Sequence, residues 1–156
     1  MDIRPAEIRD GADVFQLVQA FATSFAVEQA AFDLAFAELL TDPNAFIAVA
    51  ETDGKIAGYI LGFEHLTFFA NGSVAWVEEI TVGEPYRRFG VGRRLMEAFE
   101  TWAAERNVKM VALATRRAAG FYEALGYEES AAYFRKIVRK NHPEGTSKER
   151  VIEITR

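Results

Sequence analysis

The feature that most constrains this chain is the succession over residues 73–114: an extended run, a glycine-bearing turn, a long amphipathic stretch and a second, short apolar run. From Gly90 to Asn107, apolar Val91, Leu95, Phe99 and Trp102 keep helical spacing while Arg93, Arg94, Glu97 and Glu105 fall between them. One face of that helix must pack on an apolar surface. Residues 109–114 form a short apolar run flanked by helices, the pattern of a strand reached through a βαβ crossover and buried on both faces. Part of the sheet is therefore expected to be parallel.

The remaining elements arrange themselves around this unit. Residues 2–6 read as a strand, followed by a helix on which Val14, Leu17, Val18, Phe21 and Phe25 share a face, with Asp10 or Asp13 available near its start. A second helix carries Phe32, Phe36, Leu39 and Leu40 and stops at Thr41-Asp42-Pro43-Asn44, because proline cannot continue it. Residues 45–51 and 55–66 are rich in Ile, Val, Tyr and Phe, and the Asp53-Gly54 dipeptide between them predicts a hairpin. With residues 73–82 they form an antiparallel meander. A short helix over residues 117–125 ends at Gly126, which can adopt the left-handed helix-ending conformation. Residues 127–138 and 151–155 read as a closing hairpin around a loop holding Asn141, Pro143 and Gly145. The expectation is one α/β domain over residues 1–156 with a mixed sheet of about seven strands.

Composition narrows the chemistry. At 156 residues and 50% hydrophobic, the chain suits one domain with its own core. It has no cysteine, which excludes disulfides, thiolate metal sites and a cysteine nucleophile. The two histidines, His65 and His142, are too few and too far apart to suggest a metal site, so none is expected. A net charge of -5 argues against a nucleic-acid partner and mildly favours a cationic one. No run is long and apolar enough for a membrane span, so a cytoplasmic protein without a membrane partner is expected. A homodimer is compatible with all of this.

Against that acidic background, Arg87-Arg88-Phe89-Gly90-Val91-Gly92 is a local basic cluster between a strand and the first turn of the long helix. Glycines allow close backbone approach, and the first helical N–H groups have no intrahelical partners and point outward at the positive end of the dipole. Arg87, Arg88 and Arg93 add planar donors suited to phosphate oxygens. The segment lacks the Gly-Lys-Ser/Thr end of a Walker loop and the three glycines of a dinucleotide fingerprint. Left to itself it is either a pyrophosphate cradle or a turn that merely starts a helix.

Its surroundings favour the cradle. Arg87, Gly90 and Gly92 match the Arg/Gln-x-x-Gly-x-Gly/Ala signature of the Gcn5-related N-acetyltransferase (GNAT) family, which this chain resembles. Ala118-x-x-Phe121-Tyr122-x-x-x-Gly126-Tyr127 is similar to that family's Ala-x-x-Phe-Tyr-x-x-x-Gly-Phe segment, and the order of elements agrees over nearly the whole chain. The resemblance implies acetyl-CoA as co-substrate, a sheet whose central strands, residues 73–82 and 109–114, splay to admit its pantetheine, and an amine acceptor, either a small molecule or a peptide. It implies a cofactor-binding set of Ile80, Thr81, Val82, Arg87, Arg88, Phe89, Gly90, Val91, Gly92, Arg93, Thr115 and Phe121. Two departures stand out: Pro85 falls one position later than the family's proline, and Thr115 takes the place of a common asparagine.

Acyl transfer to an amine needs the amine deprotonated, the carbonyl oxygen stabilised and a proton supplied to the leaving thiolate. Without a cysteine, direct transfer in a ternary complex is the economical route. Glu78 and Glu79 interrupt an otherwise apolar strand; neighbours on a strand face opposite sides, so one should reach the cleft unless a bulge alters the parity. Glu78 is the favoured base, with Glu79 binding or orienting the amine, while solvated or salt-bridged strand residues are the alternative. Tyr122 matches the family tyrosine that can protonate the thiolate, although its spacing with Phe121 and Leu125 also suits packing. A backbone N–H of residues 80–82 is the oxyanion donor that the resemblance implies. The aromatic bias of Phe21, Phe25, Phe32, Phe36, Phe68, Phe69 and Trp76 can wall an acceptor pocket, though most of it is expected in the core. The competing function is a non-catalytic acyl-CoA-binding regulatory module, which would have no need of Glu78, Glu79 and Tyr122.

Overall fold

Asp53 and Gly54 both adopt left-handed backbone, with φ of 51° and 73°. A two-residue hairpin loop needs that conformation if its twist is to match the flanking strands. From this turn β2 (Ala45–Thr52) and β3 (Lys55–Thr67) pair antiparallel, Thr52 opposite Lys55 and Ala45 opposite Phe63. The computed structural model describes residues 1–138, and among them three further strands complete one sheet: β1 (Asp2–Pro5), β4 (Gly72–Val82) and β5 (Val111–Leu113). Spatial order follows chain order, β1-β2-β3-β4-β5, with β4 and β5 parallel and the other pairs antiparallel.

Helices cover both faces. On one lies α3 (Val91–Glu105), whose Leu95, Met96 and Phe99 are fully buried against Ala48, Ala50, Ile60, Ala75 and Val77 of the strands. Burying each of these three large side chains stabilises the fold by about 2 kcal/mol. The approach is close enough to dictate a glycine: a Cβ on Gly62 would lie 2.3 Å from the Phe99 ring. On the other face α1 (Gly11–Phe21) and α2 (Gln29–Leu39) pack Val14 and Phe36 against Val49 and Tyr59. After β5 comes α4 (Ala119–Ala124), which is followed by Gly126 at φ 92°, as its sequence predicts. No helix among the described residues is long and apolar enough to cross a membrane.

The start of α1 is anchored differently from the sequence expectation. Asp10 precedes the helix, but its carboxylate does not cap it; Oδ2 accepts from the Glu7 N–H at 2.8 Å, and both oxygens accept from the Arg4 guanidinium at 2.8 Å. Arg4 Nε reaches Glu51 on β2, also at 2.8 Å. This clamp ties β1, β2 and the entry to α1 together. The guanidinium holds the Asp10 carboxyl below its ordinary pKa, against the opposing effect of burial.

Among the described residues the sheet has five strands, where the sequence predicts about seven. Residues 127–138 are not a strand, and most of their side chains are exposed. A strand exists only through a ladder, and among the described residues no neighbour pairs with this segment. The second arm of the expected hairpin, residues 151–155, and its loop with His142 lie outside the described residues. Parallel pairing of residues 109–114 is present but confined to Val111–Leu113, which are half-buried rather than buried on both faces, and β5 is the edge strand among the described residues. Helix α1 stops at Phe21, so Phe25 belongs to the connection to α2.

Candidate functional site

The ladder between the two parallel strands is short. It runs from Ala75 opposite Val111 to Val77 opposite Leu113, and β4 continues to Val82 without a β5 partner. Past Val77 the ladder thus ends and leaves a split beside β4 among the described residues. Gly83 N–H bonds the Ala57 carbonyl on β3 at 2.8 Å, so strand alternation turns the peptide groups of Val82 and Ile80 away from β3 and into the split. The Val82 carbonyl, facing that way, accepts from Arg87 Nε at 3.0 Å.

A bulge sits where the strands part. Leu61 opposes Glu79 and Gly62 opposes Val77, leaving Glu78 as the extra residue of β4. The bulge changes the parity that an unbroken strand would keep: Val77 and Ile80 both pack on the α3 face, with two glutamates between them. Glu79 lies on the opposite face. Its Oε2 accepts from the Tyr59 hydroxyl at 2.9 Å, and Tyr59 itself is only 2% exposed within the core under α1 and α2. Burial and the neighbouring carboxylate push the Tyr59 phenol pKa upward, so it remains a donor at all physiological pH.

Glu79 opens into a pocket of about 430 Å³ between the ends of α1 and α2. The connection over residues 22–28 forms its rim, Val18, Phe21 and Phe32 its apolar wall, and Phe25 and Glu28 stand exposed at the edge. Among the described residues of the lining, Glu28 and Glu79 are the ionisable ones. Arg135, from the segment after α4, places Nη1 3.5 Å from Ser24 Oγ on this rim.

The basic loop occupies the other end of the split. Gly90, at φ 79°, is the left-handed residue before α3, and its carbonyl accepts the Arg94 N–H at 3.1 Å. The N–H groups of Val91, Gly92 and Arg93 therefore precede the helix's own ladder and project from its positive end. Val91 is buried and anchors the turn, whereas Arg87, Arg88, Phe89 and Arg93 are exposed. Arg88 has φ 67°, a left-handed conformation that costs a non-glycine residue about 1 kcal/mol or more. These groups can grip an anion with both backbone and side-chain donors.

The second matched segment docks onto this loop. A Cβ on Gly92 would lie 3.3 Å from the Phe121 ring, so glycine there lets α4 seat against the first turn of α3. Tyr127 donates to Glu100 Oε1 at 2.7 Å and ties the end of the segment to α3. Tyr122 is buried in the α3 core, edge-on to Phe121 and Tyr127. Burial raises its pKa with no hydrogen-bond contribution, so it holds its proton at neutral pH. Thr115 Oγ1 accepts the Ala118 N–H at 3.1 Å and shapes the entry to α4.

The residues singled out from sequence therefore fall into two groups. Ile80, Val82, the residue 87–93 loop, Phe121 and Tyr122 gather on the α3 side, with Thr81 paired to Tyr59 on the neighbouring strand. Glu79 belongs to the α1/α2 side, and the pocket lining includes Glu79 but not Glu78 or Tyr122. Of the aromatic residues, Phe21, Phe25 and Phe32 line the pocket, Phe36 is core, and Phe68 and Phe69 are exposed at the β3–β4 turn. Tyr59 and Glu28 escaped the sequence reading. Tyr59 lies inside an apolar strand run where a tyrosine reads as packing, and Glu28 sits in a connection without periodicity.

With this geometry in view, comparison with known proteins is direct. Residues 12–127 match the model of the acetyltransferase (GNAT) family. An N-alpha-acetyltransferase of Sulfurisphaera tokodaii is 32% identical over 124 residues, covering 70% of each chain. Among solved structures, glucosamine-6-phosphate N-acetyltransferase from Arabidopsis thaliana superposes with a TM-score of 0.79 at 24% identity, covering 88% of this chain and 98% of that one. A transcriptional regulator from Bacillus halodurans reaches 0.80 at 21% identity, over 88% of this chain and 99% of its own. At those identities the structural likeness concerns the fold.

Proposed function

The chain belongs to the acetyltransferase (GNAT) family, and from that premise we propose that it moves an acetyl group from acetyl-CoA to a primary amine directly, in a ternary complex. The loop of residues 87–93 fits the pyrophosphate of this co-substrate on grounds of donor chemistry: left-handed Gly90, outward N–H groups at the start of α3 and three exposed arginines in an otherwise acidic chain. The split between β4 and β5 offers room for the extended arm, flanked by the peptide groups of Ile80 and Val82. Bound acetyl-CoA supplies an acyl carbon on a thiol leaving group, so the C–N bond of the product forms as the C–S bond breaks.

The protein's own groups then divide the work. Glu79, facing the pocket, receives the acceptor ammonium and takes one proton, directly or through one water, and the second proton that the nitrogen loses as the amide forms passes to solvent. This reading gives Glu79 both the orienting role and that of the base, for which the sequence slightly favours Glu78. Tyr59 fixes the Glu79 carboxylate from behind. An N–H of Ile80 or Val82 stabilises charge developing on the carbonyl oxygen. Tyr122, kept neutral by burial, returns a proton to the departing thiolate, and its phenolate is refilled from solvent. Thr115 and Phe121 complete the cofactor side.

The single observation that carries this reading is the Glu79 carboxylate, hydrogen-bonded to a buried phenol and opening into a pocket beside the end of β4 that runs on past its β5 partner. The test is thiol release from acetyl-CoA over a panel of amines that includes peptides, because one relative is named for α-amine acetylation. Release that depends on an amine and on Glu79 supports the proposal. Tight acetyl-CoA binding with no amine-dependent release from any class would contradict it and favour a regulatory acyl-CoA-binding module.

A further inference from the structure

We infer that the acceptor is a primary amine carried on an apolar body, with its ammonium at Glu79 and its first carbons against the phenylalanines of the α1–α2 connection. The inference rests on the pocket's being the acceptor site. Its wall is built from Val18, Phe21, Phe25, Val27 and Phe32. Glu79 is half-buried and fixed by the Tyr59 hydroxyl, whereas Glu28 is exposed at the rim and keeps its hydration. The pocket thus pairs one oriented carboxylate with a mostly apolar wall.

That pairing selects by what it lacks as much as by what it offers. A polyhydroxylated amine entering here would exchange water for phenylalanine rings, and among the described residues the polar groups that its hydroxyls could meet besides the two glutamates, Thr23, Ser24 and Arg135, are confined to the rim. A polyamine would find one fixed carboxylate and a hydrated one, with its inner ammonium on an apolar wall. An amine two or three bonds from an aromatic or branched aliphatic group satisfies both halves of the site. Phe25 strengthens the case: it is 62% exposed, a large apolar surface at the mouth of a pocket that an apolar acceptor would cover. Two sources present this chemistry, a free arylalkylamine and a peptide whose first residue is large and apolar.

The experiment compares phenethylamine, a tripeptide amide beginning with phenylalanine, glucosamine and spermidine, each measured by thiol release and, separately, by calorimetric binding to the protein with CoA present. The expected result is a kcat/KM for phenethylamine or the peptide at least about 100-fold above that for glucosamine and spermidine. The larger of the first two identifies the source. Phe25→Ser, at an exposed position, is expected to raise KM or Kd for the favoured amine about tenfold with an unchanged thermal midpoint. Glucosamine or spermidine equalling the apolar amines, or an unchanged KM and Kd in Phe25→Ser, would overturn the inference. If no amine releases thiol, the transfer reading fails by itself. Calorimetry still decides the acceptor class, through the preference of the wild-type protein alone should the variant not fold.

Discussion

The glycine–arginine loop of residues 87–93 and the pocket at Glu79 flank the end of one strand, β4, yet they are encoded in different ways. The loop is contiguous, and six successive residues, Arg87 to Gly92, carry most of its chemistry through backbone and charge. The pocket exists only in the folded chain: Tyr59 comes from β3, Glu79 from β4, and the phenylalanines from α1, α2 and the connection between them. A backbone-built site tolerates drift elsewhere in the chain as long as its glycines remain. A side-chain-built pocket can change what it accommodates by exchanging a few residues while the fold and the loop stay as they are.

This division of labour can be broken or sharpened by substitution. The largest effect is expected at Glu79: Glu79→Gln should lower kcat about 100- to 1,000-fold, the range for losing a general base, and leave KM for acetyl-CoA unchanged. Glu78→Gln should cost far less, and stopped-time assays on both would show at once if the roles are reversed. Next, Arg87→Ala combined with Arg88→Ala should raise KM for acetyl-CoA roughly tenfold to 100-fold, the cost of removing charge-assisted bonds to phosphate. That increase should grow with falling salt concentration in the wild-type reference, and kcat should move little.

Smaller effects probe the supports. Tyr122→Phe should lower kcat about tenfold or more if the phenol supplies the thiolate's proton. Because burial raises its pKa above the ordinary 10.0, any alkaline loss of rate due to Tyr122 should lie above pH 10 in a pH–rate profile of the wild type. Tyr59→Phe removes the hydroxyl behind Glu79 and should cost about threefold to tenfold in kcat/KM for the amine alone. A drop in acetyl-CoA affinity instead would mark Tyr59 as structural.

The smallest functional effect should come from the Arg4–Asp10 clamp, which acts on stability. Asp10 has a folded pKa below its ordinary 3.8, so its contribution is present above that pH and is lost as pH falls through the folded value. Thermal melts should therefore show Asp10→Asn less stable than wild type by about 2 kcal/mol at pH 7. The gap should narrow as both are taken below about pH 4.

What the sequence disclosed follows the same boundary between local and long-range encoding. The Asp53-Gly54 hairpin, the α3 stripe and the glycine loop depend on neighbours in the chain, and the folded protein has them all. The parity of Glu78 and Glu79 was not legible. It depends on a bulge opposite Leu61 and Gly62, beside the point where Phe99 of α3 presses so closely that only a glycine fits. Residues 127–138 have strand-like composition, but among the described residues they find no partner for a ladder. Asp10 looked like a helix cap, since nothing in sequence pairs it with Arg4. The pocket was hinted at only through an excess of phenylalanine, and its lining came from three separate stretches.

The most direct measurement is a two-substrate initial-rate study, varying acetyl-CoA and a reactive amine together, on wild type, Glu79→Gln and the Arg87→Ala/Arg88→Ala pair. Direct transfer between two separately built half-sites predicts intersecting reciprocal plots. The glutamate variant should then lose kcat and amine terms, and the arginine variant acetyl-CoA terms alone. Parallel plots, or both variants altering the same constant, would contradict it.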